Sequence, residues 1–255
     1  MRGMDQHATE HDEVLAALTA LGNPRLGQAQ QLDRESALPH LGISVPVLRA
    51  RVRQGFSFSA RPWSDQLAVW DTLWRTSPCA DVLFAALHAM DARVRCPPLP
   101  PELWAVLRHW SLRVDNWCHS DALSTVYSRL LAADFDAVYP DLQAWNQSDA
   151  LWLRRLSLTS LVHYTGKNAV FLPIEHMLPL VARCVNDRRR PVELAVGWVL
   201  RELARDHPTD VTAFVERHAA DLGAAALARA LERHPAIDRQ RLQALRKRCQ
   251  GPRGQ

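Results

Sequence analysis

The sequence predicts an all-α fold, a curved solenoid of short helices stacked as antiparallel pairs. Three observations predict it. Apolar patterns of helical period run through most of the chain. Proline and glycine interrupt them at close intervals, as at Gly22-Asn23-Pro24, Pro97-Pro98 and His207-Pro208. Long alternating β-branched runs and Asn-Gly hairpin turns, the marks of strands, are missing from the 255 residues.

Taken in order, helices are expected over 12–21, then 26–38 beyond the Gly22-Asn23-Pro24 break, 45–54, 64–76 and 80–92. The Pro97-Pro98 break precedes 100–110. Asp115, Asn116 and Ser120 are good cappers for 117–132, which is followed by 134–145. Ser148 and Asp149 offer an N-cap to 148–165. Helices over 174–186 and 190–206 lead to His207-Pro208, after which come 209–217, 222–233 and 236–248. A pair of such helices spans roughly 35–45 residues, the range of helical repeats. No strict repeat is visible, so the array is degenerate, and its concave side is a natural groove for a long ligand. An ordinary globular helical domain is the alternative. One domain is expected over 12–249, with loose tails at 1–11 and 250–255.

Composition narrows the classes. With 47% hydrophobic and 23% charged residues the chain can bury a sizeable core, which excludes collagen, general disorder and a disulfide scaffold. No stretch approaches the roughly 18 apolar residues of a membrane span, and Met1 to Glu13 lacks a secretory pattern. Cys79, Cys96, Cys118, Cys184 and Cys249 form no C-x-x-C pair, which suits a reducing cytoplasm. Net charge is +4, and 29 of 31 basic residues are arginine. Arginine grips phosphate with two parallel N–H bonds, so nucleic acid is the first partner to test. Codon bias explains the arginine total equally well.

Side chains that miss the apolar stripe of their helix are the functional candidates. From Val192 the stripe is Val192, Ala195, Val196, Val199, Leu200 and Leu203. Trp198 lies off it, beside Arg201 and Arg205, either packed against another layer or exposed for binding. In 117–132 the stripe is Leu123, Val126, Tyr127, Leu130 and Leu131. Trp117 and Asp121 fall off it, on the side of Ser124 and Ser128, one turn apart. An indole beside a carboxylate can cradle a cation; a solvated acid or a helix cap is the alternative for Asp121. Arg155 sits among Leu151, Leu158 and Val162, where its charge needs an internal carboxylate or a phosphate. Arg188-Arg189-Arg190 lies between two helices, as a solvated turn or a backbone-phosphate contact.

Other chemistry finds little footing. His207, His218 and His234 sit near helix ends, where an imidazolium suits the dipole. No His/Cys/Glu cluster has zinc-site spacing, so no metal is expected. Cys118 and His119 are neighbours on a helix, about 100° apart, which does not make a nucleophile–base pair.

At these segments the sequence resembles the AlkD-type DNA alkylation repair glycosylases, which are built of HEAT-like helical repeats. The matching strings are Trp117-Cys118-His119-Ser120-Asp121, Leu151-Trp152-Leu153-Arg154-Arg155 and Ala195-Val196-Gly197-Trp198-Val199-Leu200-Arg201-Glu202. Leu41-Gly42-Ile43 with Pro46 and Arg49 adds a further match, and the whole covers about 12–248. The resemblance implies a monomeric enzyme that excises cationic N3- and N7-alkylated purines from double-stranded DNA, with no cofactor. It implies Asp121 as the catalytic carboxylate, Trp117 and Trp198 as indoles flanking the damaged nucleotide, and Arg155 and Arg201 on the DNA-facing side; by their positions at and along the Trp198 helix, Arg190 and Arg205 are further candidates for DNA contact. One departure stands out: family members carry an aromatic on the early helix, whereas 26–40 holds no Tyr, Trp or Phe and Asp33 is nearest. A DNA-binding protein of the same superfamily without hydrolase activity, and a protein-interaction scaffold, are the alternatives.

Overall fold

Helix starts in this chain are set by Asx caps and prolines. A computed structural model describes residues 7–163 and 169–249. Asn23 accepts the Leu26 amide through its side chain and Pro24 takes the first helical position, where a missing N–H costs nothing. The stretch Gly22-Asn23-Pro24 is thus both the end of one helix and the cap of the next. Among the described residues there are fourteen α-helices, three 3₁₀ helices and no strand. No helix among them is long and apolar enough to cross a membrane.

The chain divides into two compact units between Arg129 and Leu130. The first holds α1 (Ala8–Thr19), α2 (Pro24–Arg34), α3 (Val45–Gln54), α4 (Trp63–Thr76), α5 (Ala80–Val94), α6 (Leu103–Leu107) and most of α7 (Trp117–Ala133). The second holds α8 (Phe135–Asn146), α9 (Leu151–Thr159), α10 (Ile174–Cys184), α11 (Arg190–Asp206), α12 (Pro208–Arg217), α13 (Ala224–Ala230) and α14 (Ala236–Cys249).

Helix α1 begins inside the stretch expected to be loose, because Glu10 pairs with Arg61 at 2.7 Å and His11 bonds the Ser77 hydroxyl at 3.0 Å. Helix α2 stops four residues short of expectation, where Glu35 turns into the left-handed region at φ 50°. Expected helix 100–110 is one turn and a half of α-helix followed by a 3₁₀ helix, Arg108–Arg113. Helix α9 starts at Leu151 without a side-chain cap, since Ser148 instead accepts the Ala150 amide at 3.1 Å. Of its expected C-terminal end, 164–165 lie outside the described residues.

In the first unit the core is aromatic. Trp74 and Trp110 stack with centroids 4.7 Å apart, and each indole N–H is satisfied, by the Trp110 carbonyl and by Asp71. In the second unit, alternate helices lie side by side. Helices α9, α11 and α13 form one layer; α8 with α10, and α12 with α14, form the other. This is the packing of helical repeats. Asn146 staples three of them, donating to Ser157 and to the Leu180 carbonyl at 3.0 and 3.2 Å. The α11 stripe read from the sequence is buried throughout, Val192 to Leu203.

Gly197 explains how close α11 and α13 come. A Cβ there would lie 2.5 Å from the Ala226 carbonyl oxygen and 2.8 Å from the Arg229 Cβ, both on α13. Gly197→Ala is expected to push the helices apart and destabilise the protein by about 1–3 kcal/mol, read as a lower urea midpoint.

Candidate functional site

The first turn of α7 is held by a buried polar network. Asn116 caps it, its Oδ1 accepting the His119 amide at 2.9 Å. Fully buried His119 pairs through Nδ1 with Asp115 at 3.0 Å, and packs against Phe84 and Trp74. The other oxygen of Asp115 accepts from the Ser36 hydroxyl at 2.7 Å and the Ala37 amide at 3.1 Å. Burial pushes the Asp115 carboxyl up, but His119, Ser36 and Asn116 outweigh it and hold the group well below the usual carboxylate range. Residues just past α2 are thereby tied to the start of α7.

That anchoring turns Trp117 and Asp121 away from the core. Trp117 is 41% exposed, a large open surface for an indole, and Asp121 is half-buried. Asp121 is not the helix cap, since Asn116 fills that place. The open side of α7 differs from the one expected. Ser124 and Ser128 are buried, and the ridge that carries Trp117 and Asp121 continues to Thr125 and Arg129, each four residues on.

Between the two lies Cys118, whose thiol burial pushes up to about 11; Arg34 opposes the shift, while Asp121 and Asp33 add to it. Such a thiol is not a thiolate at neutral pH, in keeping with the rejection of a Cys–His pair. The same interactions place the C-terminal end of α2 beside the start of α7. Asp33, the residue standing nearest to the absent early aromatic, is exposed there. Arg34, which sequence reading passed over, lies near enough to Cys118 for its charge to oppose the rise of the thiol, and sits over the Phe84 ring at 5.0 Å. Two charged residues, Asp33 and Arg34, stand at this place.

In the second unit, α11 carries Arg190, Trp198, Arg201 and Arg205. Trp198 is half-buried; Arg190 and Arg205 are exposed, the latter 3.5 Å from Asp206. Arg201 is held by carboxylates, Glu202 and Glu232, each at 2.8 Å. Glu202 is buried and also meets Arg233 at 2.9 Å. Arg201→Ala is therefore expected to lower the thermal midpoint of the protein, because Glu202 loses a partner, while Arg190→Ala leaves it unchanged. Arg155 is buried on α9 and its Nη1 donates to the Pro191 carbonyl in the first turn of α11. In the arginine run, Arg188 donates to the Val185 and Asp221 carbonyls, and Arg189 grips Asp187 and the Asp149 carbonyl. Two of the three thus staple the turn. His218 and His234 do sit at helix ends, but burial lowers both, which disfavours the imidazolium. Among the described residues no cluster of His, Cys, Asp and Glu is arranged to hold a metal.

The comparisons with known proteins follow the same line. A family model described as DNA alkylation repair enzyme matches residues 14–233. A solved structure titled a predicted DNA alkylation repair enzyme from Enterococcus faecalis superposes with a TM-score of 0.72 at 14% identity, covering 84% of this chain and 97% of that one. A crystal structure of a protein from Streptococcus mutans UA159 superposes with a TM-score of 0.53, also at 14% identity, covering 82% and 96%. The search of curated proteins finds no match.

Proposed function

Since the chain belongs to the DNA alkylation repair enzyme family, we propose that it is a monofunctional glycosylase hydrolysing the N-glycosidic bond of cationic N3- and N7-alkylated purines in duplex DNA. The observation that carries this reading is the pair on α7: an exposed indole, Trp117, one turn from a half-buried carboxylate, Asp121, on a helix start locked by the Asp115–His119 network.

The chemistry asks for such a pair. Alkylation of a purine ring nitrogen makes the base cationic and a good leaving group, so little acid catalysis is needed. The C1′–N bond breaks with its electron pair passing to the base, which departs neutral. Positive charge builds on the deoxyribose, as in other glycosyl hydrolyses. Asp121 stabilises that charge and orients a water, which adds to C1′ and gives up its proton to the carboxylate or to solvent. Indole faces favour a cation by about 0.5–2 kcal/mol each; Trp117 supplies one in this reading and Trp198 is assigned as the second. Exposed Arg190 and Arg205, with Arg155 and Arg201, are assigned to the phosphate backbone. No metal or organic cofactor takes part, and the enzyme acts as a monomer in the cytoplasm.

One observation favours a second reading, DNA binding without hydrolysis. The end of α2 carries Asp33 and Arg34 in place of an aromatic wall. The deciding experiment incubates the pure protein with methylated duplex DNA and quantifies free bases. Release of N7-methylguanine or N3-methyladenine is expected. Salt-sensitive binding with no released base would establish the second reading, and no DNA affinity at all would leave a protein scaffold.

A further inference from the structure

Three arginines of the first unit, none of them among the residues assigned above, are linked through His88 and Asp91, and one of them, Arg129, lies on the helix ridge of Asp121. Arg49 on α3 is exposed and its Nε donates to His88 Nδ1 on α5 at 3.4 Å. His88, Asp91 and Arg95 follow at three- and four-residue steps near the C-terminal end of α5, so they line one face. Arg95, on the residue just after α5, grips Asp91 with bonds of 2.8 and 3.1 Å, which uses up the one carboxylate of the group. Arg129 comes from α7, on the ridge of Trp117, Asp121 and Thr125.

Arg129 is in an uncomfortable place. It is partly buried, its Nε is sealed from solvent without a hydrogen-bond partner, and no acid lies within ion-pair distance of it among the described residues. Burial and then the charge of Arg95 disfavour its protonated form, only partly offset by Asp91. His88 cannot offset the group either. Burial and Arg49 pull its imidazole down to about 4, so at neutral pH it stays uncharged. Three guanidiniums therefore face one carboxylate. A half-buried arginine with a like charge beside it and no acid of its own costs stability unless an anion completes the site.

We propose that Arg49, Arg95 and Arg129 form a phosphodiester-binding site of the first unit, which takes the backbone of the duplex whose lesion meets Asp121. This rests on the glycosylase reading for the identity of the duplex, and on the unpartnered guanidinium for the site. Planar arginine forks suit phosphate oxygens, and Asp91 holds the Arg95 fork in register. A role in holding the fold would instead give Arg129 a partner within the protein.

The test compares the full-length chain with Arg129→Gln, Arg129→Lys and the triple variant Arg49→Ala/Arg95→Ala/Arg129→Gln. Affinity for an undamaged duplex oligonucleotide is measured between about 50 and 200 mM salt, where each phosphate contact contributes about 0.9 to the slope of log K against log salt. Arg129→Gln is expected to flatten the slope by about 1, the triple variant by about 2–3, and Arg129→Lys to retain it. The thermal midpoint of free Arg129→Gln is expected to stay level or rise. Wild-type binding with a slope that the triple variant leaves unchanged overturns this site and spares the glycosylase reading. So does a fall in the Arg129→Gln midpoint with no change of slope, which marks a structural arginine. Stabilisation of wild type but not Arg129→Gln by inorganic phosphate at constant ionic strength, with the DNA slope unchanged, would assign the site to free phosphate and also overturn the proposal. Absence of any DNA affinity in the wild type overturns both readings together.

Discussion

Asp121→Asn is expected to slow release of alkylated purines by a factor of at least about 10²–10³, the scale at which one charge-stabilising group is lost from an active site. The amide keeps the size and most of the hydrogen-bonding capacity of the side chain and loses its charge. Charge is what the developing sugar cation requires. Asn116 rather than Asp121 caps α7, and asparagine matches the size of the half-buried aspartate, so the variant keeps the fold of α7. Duplex affinity is expected to stay within a few-fold of wild type, since the proposed ground-state contacts to the backbone are those of arginines. Single-turnover base release and duplex binding, measured side by side, check this. Unchanged release rules out the role given to Asp121, and an equal loss of release and of folded protein makes that role structural.

The second large effect concerns the network beneath. Asp115→Ala removes one of the two polar neighbours of fully buried His119 Nδ1, leaving Asn116, and removes the close acceptor of the Ser36 hydroxyl and of the Ala37 amide. Weakening the pairing of buried polar side chains such as His119 and Ser36 costs about 1–3 kcal/mol each, so a loss of about 2–4 kcal/mol in urea unfolding is expected. The pH dependence carries the sign. The folded carboxyl titrates below its ordinary value, so its contribution is complete above about pH 4 and fades as pH falls through the lower, folded value. The stability gap between wild type and Asp115→Asn is therefore expected to narrow on going from about pH 7 to about pH 3. A gap constant over that range refutes the account of Asp115. Because α7 starts on this network, Asp115→Ala is also expected to lower base release in the fraction that remains folded.

Helices and their inward faces were legible because the signal for them is local. A stripe such as Val192, Ala195, Val196, Val199, Leu200 and Leu203 recurs at the helical period within a dozen residues, and burying it is favourable whatever lies opposite. The off-stripe pair Trp117 and Asp121 could be found by the same arithmetic, since their one-turn spacing is a property of a single helix. The string around Gly197 could be recognised, but its physical reason, a carbonyl of α13 at 2.5 Å from a would-be Cβ, lies 29 positions away.

Charge was a different matter. Arg201 looks available from its neighbours, yet Glu232 on the 3₁₀ helix Leu231–Arg233 after α13 holds it, and Asp115 finds its partners 78 and 79 residues back at Ala37 and Ser36. Arg129 drew no notice in the chain, yet it has the charge of Arg95 beside it, only partly offset by Asp91, and no acid within ion-pair distance among the described residues. Hydrophobic burial is non-directional and summed over a helix face, so periodicity alone reveals it. An ion pair or a hydrogen bond needs two groups within about 3 Å, and which groups meet is set only when distant helices pack.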